Sequence, residues 1–153
     1  MDVSLIVDAS LSVKLPNYIR VKTFLTQFIH QFEPNTHFSM MTFAKHPKVH
    51  CKFSDNQCQT SDGTHGLIEN IPDKLSWGTF TDRALVEANK TVFTPENGDR
   101  ADAPNVAMII TDGKTMKGSA PYNVTVPPLR VCLVLFLCIN ILILVYADRK
   151  SVV

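Results

Sequence analysis

The stretch Val-Ser-Leu-Ile-Val-Asp-Ala-Ser-Leu-Ser occupies residues 3–12 and decides what fold to expect. Its first half, residues 3–7, is a short apolar run, which is typical of a buried strand in a parallel sheet. Its second half presents Asp8, Ser10 and Ser12, an acid and two hydroxyls at alternating positions. Carboxylate and hydroxyl oxygens are the ligands that a hard cation such as Mg²⁺ takes. The stretch therefore predicts a cation site at the carboxyl end of a central strand, where open α/β sheets bind ligands.

Two later segments offer further oxygen ligands. Residues 78–81 read Gly-Thr-Phe-Thr and precede a predicted helix from about 82 to 93. Residues 105–111 are almost uniformly apolar, as expected of a second central strand, and Asp112 and Gly113 follow them. Glycine permits a sharp turn there, which leaves the carboxylate at the strand tip.

The rest of the chain alternates strand and helix signals, the pattern of an α/β fold with an open, mostly parallel sheet flanked by helices. Residues 37–43 and 48–53 are predicted strands, and residues 64–70 a short helix. After Pro16, apolar residues follow the i, i+3, i+4, i+7, i+8, i+11 template of an amphipathic helix. These residues are Val21, Phe24, Leu25, Phe28, Ile29 and Phe32.

Length and composition limit the possible functions. A chain of 153 residues has room for one domain, and 45% hydrophobic with 19% charged residues is the composition of a folded protein. The formal net charge is +1, and no run of basic residues concentrates the positive charge. This distribution gives no reason to expect binding to nucleic acid.

The four cysteines form two unlike pairs. Cys51 and Cys58 lie in a polar stretch whose spacing favours a disulfide and hence an oxidising compartment, whereas Cys132 and Cys138 lie in an apolar run. Free thiols remain an open alternative for the first pair. A zinc site is the weaker alternative, because there is no Cys-x-x-Cys spacing, although three histidines are near in sequence. These are His46, His50 and His65. Asn89 and Asn123 begin glycosylation sequons, which would fit secretion.

Taken in order, the three polar segments resemble the von Willebrand factor A domain, the fold also found as the inserted domain of integrins. The resemblance implies a Rossmann-like fold with a metal-ion-dependent adhesion site formed by Asp8, Ser10, Ser12, Thr79 and Asp112. It further implies that both serines ligate Mg²⁺, or Mn²⁺, directly and that the aspartates act largely through water. Thr79 would ligate directly or through water. A carboxylate of a partner protein, such as collagen, another matrix protein or a receptor, would fill the open position.

Each of these residues also has a purely structural interpretation. Ser10 and Ser12 would cap the helix that follows them, and Thr79 with Thr81 would cap the helix near residue 82. Asp112 would form an Asx-turn. All three coincidences would have to hold together, so the adhesion site is the preferred interpretation.

The alternative functional class is a metal-dependent hydrolase or phosphotransferase with Asp8 as nucleophile and Asp112 as metal ligand. No second Asp stands two residues after Asp8, and no Gly-rich phosphate loop is present. No histidine stands out as a general base. The candidates are His30, His37, His46, His50 and His65. The chain is therefore expected to be a non-enzymatic binding module.

The resemblance covers residues 2 to about 130, a partial domain. A complete domain of this family continues with a further helix, a strand reading like Val-x-Val-x-x-Ile-Gly and a last helix, none of which follows here. Instead, residues 131–147 are a hydrophobic segment and residues 148–153 a short polar tail. The segment is a candidate transmembrane helix, although about 16 apolar residues rise only about 24 Å against a hydrocarbon core of about 30 Å. A buried strand followed by a strand or helix is the alternative.

The expected location is extracellular or at the cell surface. Residues 149 and 150, Arg and Lys, would lie on the cytoplasmic side of an anchor and leave the domain outside. No signal peptide precedes the first strand, however, so the two ends point to different compartments. The chain is thus equally well interpreted as a fragment of a larger adhesion protein, without function on its own.

Overall fold

This computed structural model describes residues 1–113 and 115–120, together with the backbone of residues 132–138 and 141–147. In chain order its main elements are β1 (Asp2–Asp8), α1 (Leu15–Phe28), β2 (His37–Phe43), β3 (Pro47–Cys51), α2 (Ser61–Asn70), α3 (Thr81–Glu87), β4 (Asn105–Thr111), β5 (Cys132–Cys138) and β6 (Ile141–Ala147).

The six strands form one sheet in the order β3-β2-β1-β4-β6-β5. Strand β1 is central and runs parallel to both β2 and β4. Strand β3 is antiparallel to β2. From β3 to β4 the sheet is therefore mixed and mostly parallel, which confirms the predicted α/β class.

Helices cover both faces of this sheet because side chains of a strand alternate between its faces. Leu5 and Val7 of β1 pack in one core with Leu25 of α1. Ile6, between them, belongs to a second core with Leu85 of α3. Burying each such side chain contributes about 1.5–3 kcal/mol. The two covered faces leave the carboxyl ends of β1, β2 and β4 as the edge at which polar loops gather.

The hydrophobic segment at 131–147 differs from the expected transmembrane helix. Cys132–Cys138 and Ile141–Ala147 are strands β5 and β6, which pair with each other antiparallel. Strand β6 also pairs antiparallel with β4, from Val106 to Thr111. Two runs of seven residues suit strands, and β4 offers backbone hydrogen-bonding groups to β6. Within the residues described, no helix has the length and apolar character to cross a membrane.

Cys51 and Cys58 are joined by a disulfide, so the zinc site considered for this pair does not form. The bridge links the end of β3 to a single 3₁₀ turn, Asn56–Cys58, that precedes α2. His50, another candidate for that zinc site, instead has its Nε2 atom 2.8 Å from Oγ1 of Thr42.

Candidate metal centre

Asp8 is the centre of the candidate site. It ends β1, is only 1% exposed, and both of its carboxylate oxygens accept hydrogen bonds. The backbone N–H of Ser10 donates to Oδ1 at 2.8 Å, and the hydroxyl of Thr111 donates to Oδ2 at 2.7 Å. These bonds tie the end of β1 to the end of its parallel neighbour β4 and fix the orientation of the carboxylate.

The two serines of the first segment lie together. The Oγ atoms of Ser10 and Ser12 are 2.9 Å apart. An octahedral Mg²⁺ with oxygen ligands at about 2.0–2.1 Å places neighbouring ligands about 2.9 Å apart. The spacing of these hydroxyls therefore fits two adjacent positions around such a cation. Neither serine caps α1, whose N-cap residue is Lys14 and has no side-chain capping bond.

Ser76, two residues before the Gly-Thr-Phe-Thr segment, is held against the first segment by backbone hydrogen bonds. The N–H of Ser76 donates to the carbonyl of Ala9 at 2.9 Å, and that of Leu11 donates to the carbonyl of Ser76 at 3.0 Å. Thr79 follows and is 5% exposed. The capping role considered for Thr79 and Thr81 is not what the structure has, because α3 begins after Phe80 without a side-chain cap.

The loop after β4 contacts both the Gly-Thr-Phe-Thr segment and α3. The N–H of Met116 donates to the carbonyl of Thr79 at 2.9 Å, and the N–H of Ala120 donates to Oδ2 of Asp82 at 3.1 Å. The N–H of Gly113 donates to Oγ1 of Thr111 at 3.2 Å. All three polar segments thus meet at one edge of the sheet.

The electrostatics of this edge favour a bound cation. Burial raises the pKa of the Asp8 carboxyl, hydrogen bonds from Thr111 and Ser10 oppose that rise, and the charge of Asp112 adds to it. Asp112 is therefore close enough for its charge to act on Asp8. A divalent cation between two carboxylates would compensate both charges.

The donor set decides which metals suit the site. Within the described ranges, no group of three or more His, Cys, Asp or Glu side chains is placed to hold a metal ion. The candidate centre has two carboxylates, Asp8 and Asp112, and otherwise hydroxyls. An all-oxygen set of this kind fits Mg²⁺ or Mn²⁺ rather than a metal that prefers imidazole or thiolate.

Three further residues matter at this edge: sequence reasoning gave Leu11 and Trp77 no role and named Thr111 only as part of the segment at 111–113 that offers oxygen ligands. Thr111 positions Asp8 from 103 residues away in sequence, which no local pattern reveals. Leu11 and Trp77 flank the candidate ligands and are 59% and 57% exposed. A large apolar side chain beside a polar motif is the only signal in the sequence that points to the latter two.

Of the two predicted glycosylation sites, Asn89 lies within the described residues and Asn123 does not. Asn89 is half-buried in the helical turn Ala88–Val92 that continues α3. Thr91 of the same sequon donates its hydroxyl to Oε1 of Glu87 at 2.7 Å. Glycosylation there remains a prediction.

Comparison with known proteins places these features in context. The family model described as von Willebrand factor type A domain matches residues 2–130. Integrin alpha-D of Homo sapiens is 29% identical over 128 residues, which are 83% of this chain and 11% of the integrin. Matrilin-3 of Gallus gallus is 32% identical over 120 residues, which are 74% of this chain and 26% of matrilin-3. The chain thus spans a minor part of the length of these relatives.

Solved structures show the same fold. Proximal thread matrix protein 1 from the mussel byssus, in its second crystal form, has a TM-score of 0.71 and 20% identity, over 80% of this chain and 33% of that one. Another structure of that protein, with a zinc-occupied MIDAS motif, has a TM-score of 0.67 and 19% identity, over 80% of this chain and 33% of that one.

Proposed function

Because the chain belongs to the von Willebrand factor type A domain family, we propose that it is a non-enzymatic protein-binding module that depends on Mg²⁺ or Mn²⁺. The metal ligands would be Asp8, Ser10, Ser12, Thr79 and Asp112. The observation that carries this proposal is the meeting of the three segments at one edge, with Asp8 held by Ser10 and Thr111.

The bound cation would supply an open coordination position for a partner's carboxylate. Asp8 and Asp112 would balance the charge of the cation, and the hydroxyls of Ser10 and Ser12 would fix its position. The partner is a protein with an exposed Glu or Asp, such as a collagen, another matrix protein or a receptor.

The surface around the centre supports a protein partner. Leu11 stands between the two serines, and Trp77 precedes the Gly-Thr-Phe-Thr segment. Both side chains are more than half exposed. Aromatic and apolar side chains next to a polar centre are typical of the residues that contribute most to protein–protein binding. Once bound, the acidic residue of the partner would therefore lie near the apolar side chains of Leu11 and Trp77.

The hydrolase alternative has less support. A nucleophilic carboxylate needs a free oxygen that faces the substrate. Both oxygens of Asp8 accept hydrogen bonds from within the fold, and the side chain is 1% exposed. Asp8 is better suited to orient ligands than to attack a substrate.

The proposed location is extracellular or at a cell surface, with this chain as part of a larger protein. The Cys51–Cys58 disulfide supports an oxidising compartment. The similar integrin and matrilin chains are also much longer than this one. Whether residues 131–147 anchor the protein is left to experiment, since the strands there pair with the sheet.

Calorimetric titration of the full chain with Mg²⁺ or Mn²⁺ tests the proposal, together with thermal unfolding in metal and in EDTA. We expect one saturable site, and metal at about 100 times its Kd should stabilise the fold by about 2.7 kcal/mol. Ser10→Ala combined with Asp112→Ala should abolish both effects. Glu33→Ala, which removes an exposed carboxylate between α1 and β2, should change neither.

Partner binding forms the second half of this test. The chain should adhere to immobilised collagen or another matrix protein in Mg²⁺ and lose that adhesion in EDTA. Metal binding that survives the double variant would disprove the assignment of the ligands. Adhesion that is the same in EDTA would disprove the metal-dependent function.

A further inference from the structure

Two histidines, His30 and His65, form a pair apart from the candidate metal centre. His30 lies in the 3₁₀ turn Ile29–Gln31 that continues α1, and His65 lies in α2. Nε2 of His30 is 3.1 Å from Nδ1 of His65, and the ring centroids are 5.4 Å apart. The side chains are 39% and 37% exposed, so an ion in solvent can reach them.

Each histidine also has a carboxylate near its other ring nitrogen. Oδ1 of Asp62 is 3.9 Å from Nδ1 of His30, and Oε1 of Glu69 is 3.4 Å from Nε2 of His65. A carboxylate behind the non-coordinating nitrogen is the usual arrangement for a histidine that binds a metal. Glu69 lies within reach of such a bond to His65, whereas Asp62, at 3.9 Å from His30 and 97% exposed, would have to move closer.

Counting ring protons shows what this arrangement favours. Two neutral imidazoles carry two N–H groups between them. One N–H joins the two facing nitrogens, so only one remains for Asp62 and Glu69 together. A cation bound between the facing nitrogens would free both N–H groups to point at the two carboxylates. With these two carboxylates beside them, the two rings therefore favour an added cation.

The scaffold holds the two rings in this position. The hydroxyl of Ser61, at the start of α2, donates to the carbonyl of Ile29 at 3.1 Å. The Thr60 hydroxyl caps the same helix by accepting from the N–H of Gly63 at 3.1 Å. The Ser61 bond thereby joins the helix that carries His65 to the turn that carries His30.

We propose that His30 and His65 together bind a transition-metal ion of the Zn²⁺, Ni²⁺ or Cu²⁺ class, with water completing the coordination. Zn–N bonds of about 2.0–2.1 Å at a tetrahedral angle separate two nitrogens by about 3.3 Å. The two nitrogens are 3.1 Å apart, so binding requires them to separate by about 0.2 Å and the rings to turn until both lone pairs face the ion. This site differs in chemistry from the all-oxygen centre, because imidazole selects these metals over Mg²⁺.

The experiment is Zn²⁺ titration of the full chain at pH 7.5, followed by calorimetry. Because Zn²⁺ can also occupy oxygen sites, the titration is done in the Ser10→Ala, Asp112→Ala background. His30→Gln and His65→Gln should each weaken Zn²⁺ binding by at least about tenfold, and Glu69→Ala by about tenfold. His46→Gln, at an exposed histidine between β2 and β3, is the matched control and should bind as the parent does.

A spectroscopic measurement covers the case in which a variant misfolds. The electron paramagnetic resonance spectrum of the Ser10→Ala, Asp112→Ala chain with one equivalent of Cu²⁺ should show coupling to two imidazole nitrogens. Oxygen-only coordination would overturn the proposal. Equal Zn²⁺ affinity in the folded His30→Gln and His65→Gln variants would overturn it too. So would the absence of Zn²⁺ binding.

Discussion

At the residue scale, Thr111 controls the orientation of the Asp8 carboxylate. Its hydroxyl donates to Asp8 Oδ2 and accepts from the N–H of Gly113. Thr111→Val keeps the shape of the side chain but removes both hydrogen bonds. We expect the variant to lose about 1–3 kcal/mol of unfolding free energy and to bind Mn²⁺ more weakly. Urea denaturation and calorimetry measure the two effects. Thr23→Val, on the exposed face of α1, is the control, and an equal loss there would contradict the explanation.

Asp8 also predicts a pH dependence of stability. Burial raises its pKa in the fold, so the folded state binds the proton more tightly than the unfolded chain does. Without metal, this contribution to the free energy of unfolding is complete below the unfolded pKa of about 3.9. It is lost as pH rises through the raised folded pKa. Denaturation in EDTA at a series of pH values should show this decline. Asp8→Asn should reduce it, and saturating Mg²⁺ should reverse it, because the metal binds the ionised form. A pH profile unchanged by Asp8→Asn would rule out this origin.

At the element scale, the segment before α3 depends on one glycine. Gly78 has φ +92°, and a Cβ there would lie 3.2 Å from Cα of Lys45. We expect Gly78→Ala to lower the unfolding free energy by about 1–2 kcal/mol and to weaken metal binding, because it displaces Thr79. Gly66→Ala is the matched control. A Cβ there meets nothing within 4 Å, and alanine favours the helix. If both variants behave alike, the backbone conformation at Gly78 is not limiting.

The connection from β3 to α2 depends on its disulfide. The Cys51–Cys58 bridge closes a short loop, with a sequence separation of 7, and should contribute about 2–3 kcal/mol. Thermal unfolding with and without dithiothreitol measures the contribution. The Cys51→Ala, Cys58→Ala double variant should unfold like the reduced protein and should not respond to the reductant. A similar response in that variant would trace the effect to other cysteines.

Most elements could be predicted from the sequence because their signals are local. The bounds of β2 and β4, His37–Phe43 and Asn105–Thr111, match the predicted strands. The amphipathic template of α1 predicted the buried Leu25 and Ile29. What the sequence did not reveal depends on contacts made in space. The bond from Thr111 to Asp8 and the His30–His65 pair join residues far apart in the chain.

At the scale of the whole molecule, the hydrophobic segment at 131–147 has two interpretations that its length alone does not separate. A run of about 16 apolar residues lies at the threshold for spanning a bilayer. The same run is also long enough for two strands, of which β6 pairs with β4 and β5 pairs with β6. Sequence periodicity cannot distinguish these outcomes, because both need apolar residues throughout.

This pairing leads to a prediction about truncation. Strand β6 pairs with β4 from Val106 to Thr111, so a chain that ends at residue 130 turns β4 into the edge of the sheet. An exposed edge of a long apolar strand pairs readily with another chain. We expect residues 1–130 to self-associate in light scattering after size exclusion, with β4 in place of β5 as the edge that pairs.

The same truncation tests whether the metal centre depends on strands β5 and β6. All five proposed ligands lie before residue 130. Each is at or just after the end of β1 or β4, or just before α3. If strands β5 and β6 only protect the β4 edge, the truncated chain should keep a saturable Mn²⁺ site with the same dependence on Asp112. If these two strands also order the end of β4, Mn²⁺ affinity should fall together with the stability of the fold. A monomeric truncated chain with unchanged unfolding would show instead that β5 and β6 contribute nothing to the sheet.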